Sequence, residues 1–318
     1  TYKGIQGYSV QKLSSDPTAS EAGGQLWYNS TSGKFKISTA GAAAWSSGGN
    51  LNTARNEIGN AGASNTNALA FGGAPGEMDV TETYNGTAWT EVANLNQARR
   101  LINGIGATNT AVLAAGGYAP PGYQVNNESW NGTSWTEVAN INTAKGAGGS
   151  AGTQAAGLIF GGNPGPTATT ETWNGSSWTE VGDLTDARLH LGSAGTTNTA
   201  ALAFGGDTPG VTANTEVWNG TSWTEVNNLN TARRALTGAG TSTTALAIGG
   251  KNPSAVAIVE KYDGTSWTEV ADLATARYEL GGAGISSSSA IAFGGDVPPT
   301  SNATEEWNDP VYTIKTVT

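Results

Sequence analysis

The feature that most constrains this chain is a pair of adjacent glycines that recurs every 44 or 45 residues. The pairs begin at Gly72, Gly116, Gly161, Gly205, Gly249 and Gly294. A short apolar run precedes each pair, and most pairs are followed by Glu-x-(Trp/Tyr)-(Asn/Asp)-Gly and then Trp-Thr-Glu. A fixed period of this length indicates one structural unit repeated along the chain, with each unit burying its faces against its neighbours.

Each unit predicts four short β-strands, because no segment carries an apolar stripe at helical spacing and turn residues separate the segments. The first strand follows a Leu-Asn-Thr-Ala-Arg-like stretch, and the second is the apolar run before the glycine pair. That run suits an inner strand buried on both faces. The third strand carries Glu-x-Trp and the fourth Trp-Thr-Glu-Val, and the Asn-Gly between them predicts a type I′ hairpin turn. We therefore expect six four-stranded sheets packed radially into a ring.

An apolar run ending in Gly-Gly, followed by an aromatic residue, a glycine and a Trp at short spacing, resembles the repeat of the Kelch family over residues 50–317. The repeats here are shorter than that family's and richer in Ala and Asn. The resemblance implies an all-β, six-bladed Kelch-type β-propeller with four antiparallel strands per blade, preceded by an N-terminal β-hairpin extension. It implies little about function, because function resides in sites rather than in folds.

Two segments compete for the outer strand of the sixth blade. Trp45 leads into Leu51 and Arg55 with the spacing of the other repeats, whereas Tyr312 stands four residues after Asn308. We favour the Trp45 strand, because its continuation into the next repeat keeps the period. The Tyr312 strand would then pair beside it or replace it. The expected domains are residues 1–44 as an extension and residues 45–318 as the propeller.

The first 44 residues lie outside the repeat and predict a hairpin of an apolar strand, a polar turn and an alternating strand. Asp16-Pro17-Thr18, the Gly-Gln-Leu-Trp-Tyr-Asn of residues 24–29 and the Gly-Lys-Phe-Lys of residues 33–36 occur together. They resemble a segment frequent in bacteriophage tail-fibre and virion proteins. The resemblance implies a virion surface protein, either tail fibre or capsid decoration, that binds other virion proteins through this segment. A surface hairpin plugging the seam of the ring, in some other secreted protein, is the alternative, and homo-oligomerisation is left open.

Few residue types capable of chemistry are present. There is one His and no Cys, which argues against thiol nucleophiles, Cys-ligated metals and serine triads. The lone His190 is expected to be an ordinary packed or exposed residue. The net charge is −10 with no basic run, so nucleic acid is a poor partner. No stretch approaches the length of a membrane span, so no membrane insertion is expected. We expect no metal or cofactor and no enzymatic activity.

One basic residue and one glutamate recur in every repeat, and a feature repeated in every blade is structural by default. The basic residues are Arg55, Arg99, Lys145, Arg188, Arg233 and Arg277, and the glutamates are Glu82, Glu128, Glu171, Glu216, Glu260 and Glu305. Charges this sparse must be paired where they are buried, and we expect pairing from blade to blade. The repeated Trp residues are expected to fill the cores between blades.

The loops after the glycine pairs differ most between repeats and carry most of the prolines. All six should emerge on one face, because each follows the same strand. Proline fixes φ and lowers the ordering cost on binding. Tyr118, Tyr123, Met78 and Lys251 are the candidate ligand-binding residues, with a host-surface glycan as the expected ligand. The alternatives are a propeller-fold polysaccharide hydrolase or lyase and a secreted bacterial surface adhesin; an intracellular Kelch adaptor would carry a helical partner domain, which these residues lack.

Overall fold

The computed structural model describes residues 10–17, 24–41, 43–309 and 312–317. Within these ranges the regular secondary structure is entirely β, as the sequence predicts. The described residues fall into two compact units. Those up to Ala44, together with those from Asp309 onward, form the smaller unit, and Trp45–Asn308 form the larger one.

The larger unit holds one four-stranded sheet for each repeat, six among its described residues. Successive strands are antiparallel neighbours, as in the third sheet, where each strand pairs with the next in sequence. The first strands are Gly59–Ser64, Asn103–Thr108, Gly149–Thr153, Gly192–Thr197, Thr237–Gly240 and Gly281–Ser286. The second strands are Asn67–Phe71, Ala111–Ala115, Ala156–Phe160, Ala200–Phe204, Ala245–Ile248 and Ser289–Phe293.

The outer half of each sheet comes from the two segments that carry the repeated Trp or Tyr residues. The third strands are Thr81–Tyr84, Asn127–Trp130, Thr170–Trp173, Thr215–Trp218, Val259–Tyr262 and Thr304–Asn308. The fourth strands are Trp89–Val92, Trp135–Val138, Trp178–Val181, Trp223–Val226, Trp267–Glu269 and Ala44–Ser47. Two loops form small ribbons, Tyr118–Ala119 with Gly122–Tyr123 and Asp207–Thr208 with Gly210–Val211.

The second strands are buried on both faces, as their unbroken apolar composition predicts. Leu69, Ala70 and Phe71 are each 0% exposed. Five of the six fourth strands bury their Trp and expose the Thr and Glu that follow it, and the sixth, Ala44–Ser47, half-buries Trp45 and exposes the two Ser that follow it; this is the pattern of a solvent-facing edge strand. The sequence therefore orders each sheet from a buried inner side to a polar outer edge.

The six sheets follow one another in a cycle. Each first strand contacts the first strand of the next repeat, and the first strand of the sixth repeat contacts that of the first. The backbone repeats this order, because the N–H of the second glycine in each pair donates to the carbonyl of the basic residue of the next repeat. Gly73 donates to Arg99 at 2.9 Å, and Gly295 donates to Arg55 at 2.9 Å. This all-β architecture is propeller-like.

The glycine pair permits this close approach. Gly72 has φ +65°, and a Cβ added to it would lie 2.4 Å from the carbonyl oxygen of Arg99. Any other residue would clash with the incoming backbone and would favour a different φ. The period detected in the sequence is thus the period of contact between consecutive repeats.

Aromatic side chains fill the space between neighbouring sheets, which confirms the predicted role of the repeated Trp residues. Phe71 of the first sheet packs against Trp135 of the second with ring centroids 5.1 Å apart. Trp89 of the first sheet packs in the same way against Phe293 of the sixth at 4.7 Å. A tryptophan in each of these contacts is at least 94% buried, so its removal would open a cavity between repeats.

The first and last repeats meet through the strand that contains Trp45. Ala44–Ser47 lies beside Thr304–Asn308 as the outer strand of the sixth sheet, as we favoured from the spacing. The expectation that the Tyr312 strand would pair beside it or replace it is wrong. Tyr312–Thr316 instead pairs antiparallel with Lys34–Ala40, whose free edge accepts it over five residue pairs.

The smaller unit contains the predicted hairpin, with Leu26–Asn29 antiparallel to Lys34–Ala40 and Gln11–Leu13 added in parallel. The Asp16 carboxylate accepts hydrogen bonds from Trp27 Nε1 at 3.0 Å and from Asn29 Nδ2 at 2.7 Å. These bonds lower the pKa of Asp16, with the Asn29 bond contributing most. The aspartate and the Trp-Tyr-Asn stretch that stood out in the sequence are therefore direct partners.

The Asn-Gly turns differ from the prediction. Trp130 pairs with Trp135, so the loop between them has four residues instead of the two of a type I′ turn. Only Gly132 has a positive φ, and the side chain of Asn131 instead accepts the N–H groups of Thr133 and Ser134. Asparagine is favoured here because its side chain caps the turn, not because its backbone is left-handed.

Candidate functional site

The repeated basic residues and glutamates form buried ion pairs. Arg188 Nη2 lies 2.6 Å from Glu216 Oε1, and both side chains are 0% exposed. Arg188 also donates to the carbonyls of Gly205 and Asn214, while Glu216 Oε2 accepts the N–H of Thr185. The other pairs are Arg55–Glu82, Arg99–Glu128, Lys145–Glu171, Arg233–Glu260 and Arg277–Glu305. Buried charges with this many partners are structural.

These ion pairs lie within one repeat, so the prediction of pairing from blade to blade is wrong. Arg188 stands on the segment that leads into the fourth sheet, and its side chain reaches Glu216 on the third strand of that same sheet. The link to the preceding repeat is made by the carbonyl of Arg188, which accepts from Gly162. Burial lowers the pKa of Arg188, and the Glu216 carboxylate opposes that shift. A guanidinium remains charged in such a site.

Two positions after each basic residue, the backbone is left-handed. These residues are Glu57, Leu101, Ala147, His190, Ala235 and Glu279, with φ between 52° and 55°. Each N–H donates to the equivalent carbonyl of the preceding repeat, and Glu57 donates to Glu279, so the six bonds form a closed cycle. Left-handed non-glycine residues are strained, and this cycle holds them in place.

We call these six residues the cavity mouth. With the first strands of all six sheets they line a cavity of about 170 Å³. Most of the wall is glycine, alanine and backbone, because the first strands are rich in small residues. The ionisable side chains among the lining residues are Glu57, His190 and Glu279, and all three belong to the cavity mouth.

Two carboxylates are neighbours at the cavity mouth. Glu57 Oε2 lies 2.9 Å from Arg100 Nη1, and Glu279 Oε2 accepts from Asn56 Nδ2 at 3.0 Å. Lys251 Nζ lies 3.8 Å from Glu279 Oε1. Burial raises the pKa of both carboxyl groups, and their mutual repulsion adds to the rise at Glu279, while the cations oppose it.

His190 occupies the mouth position opposite Glu57 in the hydrogen-bonded cycle. Burial lowers its pKa to about 4, with a smaller opposing effect from Asp207. Its Nδ1 is buried and has no hydrogen-bond partner among the residues described. The imidazole is therefore neutral at pH 7, and His190 is one of the residues that line the cavity.

Three of the four candidate loop residues lie next to these groups. The Arg100 guanidinium lies over the ring of Tyr118, with its central carbon 4.9 Å from the ring centroid. Tyr118 also packs edge-on against Tyr123, with ring centroids 5.4 Å apart. Lys251 Nζ lies 3.7 Å from the ring centroid of Tyr278, whose hydroxyl hydrogen-bonds Asp296 at 2.5 Å. The structure thus brings Tyr118, Tyr123 and Lys251 together with the charges of the mouth.

Met78 lies elsewhere in its loop. Its N–H donates to Gly73 and its carbonyl accepts from Arg99, bonds that hold the loop against the next repeat. Whether any of the four candidates binds a ligand stays a prediction.

Arg100, Glu57, Glu279 and Tyr278 were missed by the sequence analysis. They occupy the two positions after the repeated basic residue, which read Asn-Glu, Arg-Leu, Gly-Ala, Leu-His, Arg-Ala and Tyr-Glu in order along the chain. The first of these positions forms a β-bridge with the residue that follows the glycine pair, as Arg100 does with Tyr118. Disagreement between repeats at two adjacent positions was the available signal.

In the described part of the chain, no three His, Asp or Glu side chains are grouped closely enough to hold a metal ion. Nor does that part contain a helix long and apolar enough to cross a membrane. A scan against protein-family models finds no match, and a search of curated proteins finds none either.

Proposed function

We propose that the chain is a six-bladed Kelch-type β-propeller that serves as a non-enzymatic display and binding module on a bacteriophage virion, as a tail fibre or capsid decoration. Its ligand on this proposal is a glycan of the host surface. The cyclic order of the sheets and the two cycles of backbone hydrogen bonds support the propeller assignment. A ring of radially packed sheets leaves only short, polar outer edges, which suits a protein displayed outside the cell.

One observation carries the binding proposal. The scaffold positions are nearly identical in all repeats, whereas the residues of the cavity mouth and their neighbours differ from repeat to repeat. A scaffold gains nothing from placing charged and aromatic groups at only some of six equivalent positions. Binding groups on a rigid framework around a concave surface are the usual arrangement of a recognition site.

The smaller unit supports the attachment proposal. Asp16, Trp27 and Asn29, which carry the resemblance to phage virion segments, form a hydrogen-bonded cluster. This cluster fixes the hairpin as a folded element, suited to docking on other virion proteins. Self-association of copies is compatible with the same role.

The test uses purified particles and purified protein. We expect mass spectrometry to find this chain in particles at a fixed copy number, and added free protein to reduce adsorption of the particles to host cells. Detection only in the soluble fraction of infected cells, with no effect on adsorption, would overturn the proposal.

A second candidate, a polysaccharide hydrolase, is favoured by two neighbouring carboxyl groups of raised pKa at a cavity. Against it, both carboxylates are engaged by cations in the structure. Incubation with host polysaccharide and analysis of the products separates the two functions. Release of new reducing ends that is lost in Glu57→Gln would establish the hydrolase instead.

A further inference from the structure

The side chains of the cavity mouth are distributed unevenly around it. In the hydrogen-bonded cycle Glu57 and Glu279 are neighbours, with His190 directly across from Glu57 and Ala147 directly across from Glu279, while Ala235 stands between His190 and Glu279. Two carboxylates therefore occupy one side of the mouth, and on the other side the small side chain of Ala147 leaves room beside His190. The six equivalent positions of the cavity mouth therefore carry side chains of different size and charge.

Several polar atoms beside this space have unused hydrogen-bonding capacity. Among the described residues, Oε1 of Glu57 and the hydroxyls of Tyr118 and Tyr123 make no hydrogen bond. Burial raises the pKa of Tyr123 most, and the nearby charge of Glu57 raises it further. The buried Nδ1 of His190 is likewise unpartnered. A ligand rich in hydroxyl groups would supply partners for the Glu57 oxygen and for the hydroxyls of Tyr118 and Tyr123.

The aromatic groups stand beside the carboxylates. Tyr118 and Tyr123 form an edge-on pair next to Glu57 and Arg100, and Tyr278 lies next to Glu279. Aromatic faces offer apolar contact while their hydroxyls stay available for hydrogen bonds. Carboxylate and guanidinium groups add charge-assisted bonds to hydroxyls. Together these groups match a ring that is apolar on its faces and polar around its edge.

The charge of the site selects among such ligands. Glu57, Glu77, Asp207, Glu279 and Asp296 carry five negative charges, against three positive charges on Arg100, Arg234 and Lys251. This excess of negative charge would repel an anionic sugar, whereas it would not repel an uncharged sugar or an amino sugar. The cavity, at about 170 Å³, is below the roughly 300–1,000 Å³ typical of drug-sized ligands, so it suits one sugar ring.

We infer that the cavity mouth binds the terminal residue of an uncharged or amino-sugar glycan, which enters the cavity end-on between the Glu57 side and the Ala147 side. This inference rests on the proposed glycan-binding function and names its site and ligand class. The Glu57 carboxylate accepts hydrogen bonds from hydroxyl groups of the sugar, and Tyr118 and Tyr123 contact the faces of the sugar ring.

The experiment measures binding of the full chain to an array of purified bacterial surface polysaccharides, grouped as neutral, amino-sugar and acidic. Glu57→Gln should weaken binding about tenfold or more, since the acceptor loses its charge and one of its oxygens is replaced by a donor. Ala147→Asn should weaken it similarly by filling the open side, and Asn tolerates the left-handed backbone at this position. Glu137→Gln makes the same chemical change on an exposed fourth strand and should leave binding unchanged. Circular dichroism confirms that each variant is folded.

The outcomes separate the inference from the function on which it rests. Binding to neutral or amino-sugar polysaccharides that falls in both mouth variants but not in Glu137→Gln supports the inference. Binding that all three variants retain, or binding confined to acidic polysaccharides, overturns the inference and leaves glycan binding standing. Failure of the unmodified protein to bind any polysaccharide overturns the glycan-binding function together with the inference.

Discussion

Replacing Glu216 by Gln should destabilise the protein severely. Arg188 and Glu216 are both 0% exposed, so the substitution leaves a buried guanidinium without its counter-charge. In the unmodified protein both oxygens of Glu216 accept hydrogen bonds, one from Arg188 and one from the N–H of Thr185. The substitution therefore also places an amide N–H₂ against one of these two donors. Breaking a buried pair from one side costs about 3–5 kcal/mol, far more than the roughly 0.2–1 kcal/mol of an exposed pair.

The assay is urea unfolding followed by tryptophan fluorescence, for which the 11 Trp residues provide the signal. Glu225→Gln is the matched control, because Glu225 is exposed directly across the sheet from Glu216. We expect this control to change stability by no more than ~0.5 kcal/mol. Adding Arg188→Met to Glu216→Gln should cost less than the sum of the single changes, since the pair is coupled. A loss below about 1 kcal/mol for Glu216→Gln would refute a structural role for the pair.

Three further predictions concern the core, the mouth and the smaller unit. Trp178→Ala should cost about 3–5 kcal/mol in the same unfolding assay, because Trp178 is 6% exposed between two sheets; a loss under about 1 kcal/mol would mean that it is exposed in solution. His190 has a pKa of about 4 in the folded state, below its value of 6.5 in the unfolded state. The free energy of unfolding therefore includes the full contribution of the neutral imidazole above pH 6.5, and it loses that contribution as the pH falls toward 4. His190→Asn should therefore remove up to ~3 kcal/mol of the acid-dependent loss seen in the unmodified protein, and identical pH profiles for the two proteins would contradict the burial of this imidazole. Deletion of residues 1–40 should leave the repeats folded, because the Trp45 strand remains, but should abolish incorporation into particles; normal assembly of the truncated chain would rule out the attachment role.

The strand pattern could be predicted because the sequence offers no competing structure. Residues 68–71 form an unbroken apolar run that ends in two glycines, which fits a strand buried on both faces and is too short for a helix. The placement of the Trp45 strand followed from the same period. The length of the turn at Asn131-Gly132 could not be fixed, because Asn is favoured both as a left-handed residue and as a side-chain cap.

The cavity mouth could not be predicted from the sequence for a different reason. Leu101 and Ala235 have no intrinsic preference for the left-handed backbone that they adopt. The cycle of hydrogen bonds imposes that conformation, and the cycle exists only when all six sheets are assembled. Tyr118, Tyr123 and Lys251 could be chosen as candidates because they lie in variable loops. Glu57 and Glu279 were not chosen because they adjoin the basic residue that recurs in every repeat.

The most direct test of the account is host adsorption by particles that carry Glu57→Gln, compared with particles that carry Glu137→Gln. Copy number per particle is measured by mass spectrometry in both cases. We expect equal incorporation of the two variants, with adsorption reduced about tenfold only by the change at the cavity mouth. Equal incorporation with equal adsorption would contradict the claim that the uniform repeats form a scaffold for a binding site at the mouth.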